Sequence, residues 1–289
     1  MAAHEKRPTV EVGVGKGNTM HETNDVEFAT TSVATDVTLH YAERGDREGK
    51  AIIFLHGYSD SWYSFSRVLP LLSPSYHAFA LTQRGHGDSD KPECCYTPHD
   101  FATDVDAFMD ALGIDIATIV GASTGAVFAQ RVALSYPRRV CRLVLIAPQT
   151  PAHENEALSG LREEVRTLED PVPPEFVREF QEGTIHHPVP QEFLETAISE
   201  SLKLPAHVWR DYLDQAVLSI DRDYVVELGE IDVPTLILWG ERDPLFPREE
   251  QERLAAAIPG ATLKVSTLKV ATRRTGNDRS GLYGILKRL

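Results

Sequence analysis

The chain has 289 residues, 42% hydrophobic and 25% charged, the balance of a globular protein, and no apolar run reaches the roughly 20 residues of a membrane span. A net charge of −14 argues against nucleic acid or anionic lipid as the main partner, and three cysteines are too few for a disulfide framework, which favours a reducing cytoplasm. The charge is uneven, because residues 261–289 hold seven Lys or Arg against one acid, Asp278.

Residues 1–25 are polar, with Gly13, Gly15 and Gly17 and no apolar period, so they read as a mobile extension. Gly15-Lys16 lacks the spacing of a phosphate loop. From Phe28 onward, 28–33 and 37–42 read as two antiparallel strands around a polar turn. Short continuous apolar runs follow at 51–55, 77–81, 117–120, 143–147 and 235–239, as expected for strands buried on both faces of a parallel sheet. Helical periods separate them. In 100–112, Phe101, Val105, Phe108 and Leu112 recur at helical spacing and Gly113 follows as a stop; 124–135 and 249–258 repeat the pattern. This alternation predicts an α/β fold, a doubly wound and mostly parallel sheet. Residues 149–231 break the rhythm, with amphipathic segments, frequent prolines and no buried strand. The expected organisation is a core of 26–148 and 232–289 with a helical cap of 149–231 inserted between two core strands.

Three constellations carry chemistry. Gly121-Ala122-Ser123-Thr124-Gly125 stands between an apolar run and an amphipathic helix, the strand–turn–helix setting of a nucleophile elbow. The glycines let backbones approach closely, and the helix N-terminus favours negative charge developing beside Ser123. The Thr124 amide can then serve as an oxyanion donor. His56-Gly57-Tyr58 directly follows the run 51–55, where this architecture takes its second oxyanion amide, that of Tyr58. His56 stands at the wrong place in chain order for a base and is expected to brace the loop. Finally, Asp243 follows the run 235–239 and is placed to orient a catalytic imidazole.

Together with Gln83-Arg84-Gly85-His86-Gly87-Asp88-Ser89, these motifs resemble the α/β-hydrolase superfamily, most nearly its capped esterase, enol-lactonase and cofactor-free haloperoxidase branch. The resemblance covers about residues 28–265. It implies Ser123 as nucleophile, Asp243 as the acid of a catalytic triad, and an oxyanion hole from the Tyr58 and Thr124 amides. It also implies a structural 83–89 loop, with Asp88 and Ser89 shaping the site floor, and no cofactor or metal. Ala122 departs from the histidine that many relatives carry. A serine at 123, rather than the carboxylate of haloalkane dehalogenases and epoxide hydrolases of this fold, favours acyl transfer to water. The expected activity is that of a serine esterase acting on a small ester, lactone or related acyl substrate. Perhydrolase activity is not separable from it on sequence.

One part is missing. The family's histidine follows the last core strand, here 262–265, yet the chain continues Ser266-Thr267-Leu268-Lys269-Val270 and has no histidine after His207. Triad members act as a unit, so losing the base costs orders of magnitude in turnover. The second expectation is therefore a catalytically impaired fold member that binds a small hydrophobic ligand in the capped cleft. Among the cap histidines (His153, His186, His187, His207), His186 and His187 are the best placed to substitute. Residues 266–289 are atypical for the family, basic and without an apolar stripe, and are expected to be disordered or badly packed. Codon degeneracy lets Thr267-Leu268-Lys269-Val270 be read one nucleotide on as His-Leu-Lys-Trp, which points to a shift of reading frame.

The remaining candidates have plainer expectations. Cys94 and Cys95 are expected as loop thiols, and Cys141 as a core residue. Asp104, Asp106 and Asp110 are expected on a solvated helix face rather than on a metal. Trp62, Phe65, Trp209, Tyr212 and Phe246 could line an acyl pocket, with Trp62 the substrate-binding candidate because it adjoins the oxyanion loop.

Overall fold

The computed structural model describes residues 26–151, 155–185, 188–241, 243 and 245–266. The expectations for 1–25, His153, His186, His187 and the segment from 267 fall outside the described residues. The strands are β1 (Glu27–Ser32), β2 (Thr38–Gly45), β3 (Lys50–Leu55), β4 (Tyr76–Leu81), β5 (Ala117–Ala122), β6 (Val140–Ile146), β7 (Thr235–Gly240) and β8 (Thr262–Ser266). They form one sheet in the order β1-β2-β4-β3-β5-β6-β7-β8. The β1–β2 and β2–β4 pairs are antiparallel and every other pair is parallel.

The continuous apolar runs become strands because both faces are covered. Ile53, Leu55, Ile119, Leu143, Leu145 and Ile237 belong to the cluster that includes α1 (Pro98–Leu112) and α2 (Thr124–Ser135). Ile52, Phe54, Val120, Val144, Ile146 and Leu238 face the other way, onto Phe65, Leu69 and Leu72. Helix α1 starts with a capping box between Thr97 and Asp100 and stops at Gly113, whose φ of 69° is left-handed as the stop required.

Between β6 and β7 lie α3 (Glu156–Val165), α4 (Pro174–Gly183), α5 (Gln191–Ser201), α6 (Ala206–Tyr212) and α7 (Arg222–Glu227), with no strand among the described residues. Prolines punctuate them as expected: α4 begins on Pro174, and α5 and α6 directly follow Pro190 and Pro205. Helix α8 (Arg248–Ala257) leads into β8. No described helix is long and apolar enough to cross a membrane.

Three expectations are corrected. Asp104 is 2% exposed, not solvated: Arg84, 5% exposed, grips it through Nε and Nη2 at 2.6 Å each, and Thr35 Oγ1 donates to it at 2.6 Å. The helical period placed Asp104 off the apolar stripe, but the 83–89 loop brings a cation against that flank. Asp106 and Asp110 both pair with Arg139, and no described cluster could hold a metal ion. Cys94 and Cys95 are bridged to each other, on an exposed loop where Cys95 has a left-handed φ of 75°. Cys141 is free and only partly buried.

Candidate active site

The site forms where β5 ends. Ala122 closes the strand, Thr124 opens α2, and Ser123 between them adopts φ 53° and ψ −123°. This left-handed backbone is unfavourable for a residue with a Cβ, and it persists only where the surroundings fix it. Here the Ser123 amide donates to Ile146 O at 2.9 Å, while its carbonyl accepts from the amides of Ala126 (3.0 Å) and Gln149 (3.3 Å). The flanking glycines are required sterically. A Cβ on Gly121 would lie 2.5 Å from Ala126 Cα, and one on Gly125 would lie 2.8 Å from the carbonyl carbon of Leu55. The Ser123 side chain is left partly exposed at the C-terminal edge of the sheet.

The loop after β3 lies against it. A Cβ on Gly57 would stand 3.0 Å from Ser123 Cβ and 3.6 Å from its Oγ, so the backbone of this loop adjoins the hydroxyl. His56 is fully buried and braces the loop: Gln83 N–H donates to its Nε2 (3.0 Å), its Nδ1 pairs with the Gly57 carbonyl (2.8 Å), and Gln83 Nε2 donates to its carbonyl (2.9 Å). Burial pushes its pKa down to about 4, so the ring is neutral with both nitrogens engaged. The His86 ring lies tilted against it, centroids 4.9 Å apart, also held neutral by burial, with Nδ1 on the Arg84 carbonyl. Within the 83–89 loop, Ser89 Oγ donates to Thr82 O and accepts from the His40 amide, while Asp88 pairs with Lys203 of the insertion.

Asp243 follows β7. Its Oδ1 accepts the amides of Leu245 (2.9 Å) and Phe246 (3.0 Å), fixing the carboxylate. Burial raises its pKa, and those two amides work in the opposite direction. Strand β5 is two places from β7, so Ser123 and the Asp243 turn are separated laterally by roughly 10 Å, a gap that an imidazole with two hydrogen bonds can span. The chain leaves β8 at Ser266, paired with Gly240 beside this turn. Among the described residues no imidazole hydrogen-bonds Ser123 or Asp243. His207 instead meets the Pro92 carbonyl, and His77 meets Glu43.

The insertion closes over the loop. Tyr58 is enclosed by aromatic rings: Tyr212 stacks on it at 5.0 Å, and Trp209 and Phe180 meet it edge-on at 5.1 and 5.5 Å. Its hydroxyl donates to the Trp209 carbonyl at 2.6 Å. Thr124 Oγ1 donates to Gln149 Oε1, and Gln149 Nε2 donates to the Val217 carbonyl in a single π-helical turn, 213–217. Trp62 opens a short 3-10 helix after the loop that follows β3, half-buried and edge-on to Phe28 at 4.7 Å. Phe65 and Phe246 are core residues: Phe65 packs against Phe54, and the Phe246 carbonyl accepts the Trp239 indole N–H. The sequence reading did not single out Gln149, Phe180, Gln181 or Ser201. Their one signal was uncharged polar or aromatic side chains on the apolar side of short helices and turns.

A sequence profile described as alpha/beta hydrolase fold matches residues 50–267, and the chain belongs to that family. Among curated relatives it is 31% identical over 249 residues to 2-hydroxy-6-oxononadienedioate/2-hydroxy-6-oxononatrienedioate hydrolase 2 of Pseudomonas putida, covering 80% of this chain and 84% of that one. Non-heme chloroperoxidase of Streptomyces lividans is 29% identical, covering 82% and 90% of the two chains. Of solved structures, the enol-lactonase from Burkholderia xenovorans LB400 superposes with a TM-score of 0.70 at 21% identity, covering 82% of this chain and 91% of that one, a likeness of fold.

Proposed function

We propose that the protein is a serine hydrolase by lineage, cleaving a small ester, lactone or related acyl substrate through an acyl-serine. The observation that carries this reading is the left-handed Ser123 on the β5–α2 bend with the Gly57 backbone beside it. In this reading Ser123 Oγ adds to the carbonyl carbon, and the amides of Tyr58 and Thr124 stabilise the charge developing on the carbonyl oxygen. The carbon–oxygen bond to the leaving group then breaks as that oxygen takes up the Ser123 proton, and water later adds to the acyl carbon, freeing the acid and returning a proton to Ser123 Oγ. Asp243, fixed by two amides, is the acid that would orient an imidazole. The segment 149–231 serves as the cap, and Trp62 is a candidate wall for the acyl side.

The alternative is a binding protein for small hydrophobic ligands that no longer turns over. It is favoured by the absence of any histidine after His207. Labelling with a fluorophosphonate separates the two: the serine oxygen bonds to phosphorus and fluoride leaves. Labelling that disappears in Ser123→Ala supports the hydrolase, and its absence in the parent protein supports the binder.

A further inference from the structure

We infer that Gln181 and Ser201, two buried residues of the helical insertion, are positioning residues for the oxyanion amide of Tyr58, which they control by holding Ser59 in a left-handed turn. This rests on the reading of Ser123 as nucleophile.

The residues Gly57 to Asp60 form a turn closed by the Asp60 amide on the Gly57 carbonyl at 3.3 Å, with Ser59 at its third position and φ 60°. A turn with positive φ there is normally made with glycine or asparagine, and serine takes it at a conformational cost. Left alone, the turn favours the alternative with negative φ, which reverses the Tyr58–Ser59 peptide and strains the adjoining Gly57–Tyr58 peptide that carries the Tyr58 N–H. Four hydrogen bonds between the turn and the insertion oppose that relaxation. Ser201 Oγ donates to the Ser59 carbonyl at 2.7 Å. Gln181 Nε2 reaches Ser59 Oγ at 3.2 Å, and also Ser201 Oγ at 2.8 Å and Asp60 Oδ1 at 3.4 Å. The Tyr58 hydroxyl donates to the Trp209 carbonyl at 2.6 Å. Ser59, Gln181 and Ser201 are all nearly or fully excluded from solvent, so water cannot replace a lost partner cheaply.

The cap is thereby part of the oxyanion hole. Helices α4 and α5 do not touch the reacting atoms, yet they fix the turn that aims one of the two amides at the carbonyl oxygen.

The test uses Gln181→Leu, which keeps the volume and removes the donor, and the double variant Gln181→Leu/Ser59→Gly, in which glycine adopts the positive φ without help. Two readouts apply to the full chain. The first is amide hydrogen exchange of residues 58–60. The second is the Ser123-dependent rate with p-nitrophenyl acetate, taken as the difference from Ser123→Ala. Gln181→Leu is expected to speed exchange about tenfold and lower kcat about tenfold with little change in KM, and the glycine to restore both. A variant that only loosened the packing would not be rescued at position 59. Unchanged exchange in Gln181→Leu, or a loss that Ser59→Gly does not restore, overturns the inference. If the parent and Ser123→Ala show equal rates, the proposed hydrolase function fails, while the exchange arm still decides whether the insertion holds the turn.

Discussion

Replacing Asp104 with alanine is expected to cost about 3–5 kcal/mol of folding stability, because it strands a buried guanidinium. In the parent protein Arg84 has two 2.6 Å bonds to the carboxylate and one of 2.7 Å to the Cys95 carbonyl. The alanine leaves only the carbonyl, and Thr35 loses its acceptor as well. Against a total stability of about 5–15 kcal/mol for a typical domain, the loss is about a fifth or more. With a urea slope of about 2–3 kcal/mol per molar, the unfolding midpoint followed by far-ultraviolet circular dichroism should fall by about 1–2 M. The double variant Arg84→Met/Asp104→Leu removes both charges and should recover most of the deficit, since a buried pair contributes little beyond its own desolvation. The functional link is the 83–89 loop, which starts at Gln83 on His56 and carries Arg84. An Asp104→Ala protein within about 1 kcal/mol of the parent would refute the claim that this pair anchors that loop.

Four further outcomes are expected. Gly125→Ala pushes a methyl group into the Leu55 carbonyl and should abolish Ser123-dependent labelling, with destabilisation of at least about 1–3 kcal/mol; a variant that labels normally would mean the elbow is looser than drawn. Burial holds the Asp243 pKa above its ordinary 3.8, so the folded protein binds that proton more tightly than the unfolded chain, and stability falls as pH rises through the interval between the two values. Asp243→Asn should therefore melt higher than the parent at pH 7, with the gain vanishing in acid; a lower melting temperature at pH 7 contradicts the assignment. Added imidazole should raise ester hydrolysis in the parent more than in Ser123→Ala, and equal increases would show that no usable site bridges Ser123 and Asp243. The gene is expected to carry a histidine codon in an adjacent frame at 266–268, which direct sequencing decides.

The elbow was legible because several local signals agree there. An all-apolar β5, two glycines that tolerate no Cβ and an amphipathic α2 all point to one bend at Ser123. The Asp243 turn followed from its place after β7 by the same logic. What could not be read depends on contacts between distant segments. Asp104 looked solvated because helical periodicity describes one element and not the Arg84 that meets it from another loop. Gln181 and Ser201 are polar residues on short amphipathic helices, a pattern shared with surface positions. Only the folding of α4 and α5 against residues 57–60 reveals their buried partner. The Cys94–Cys95 bridge was discounted because adjacent residues lie too close for an ordinary one, yet the two are bridged and Cys95 takes a left-handed φ.

The backbone at position 123 has a consequence for anyone who evolves this protein in the laboratory. A residue at φ 53° is one that glycine would occupy with less strain, so the hydroxyl is retained at some thermodynamic disadvantage. Libraries ranked by yield or heat tolerance alone would drift toward glycine there and discard the proposed nucleophile while appearing to improve. Screening has to weigh chemistry alongside robustness from the first round.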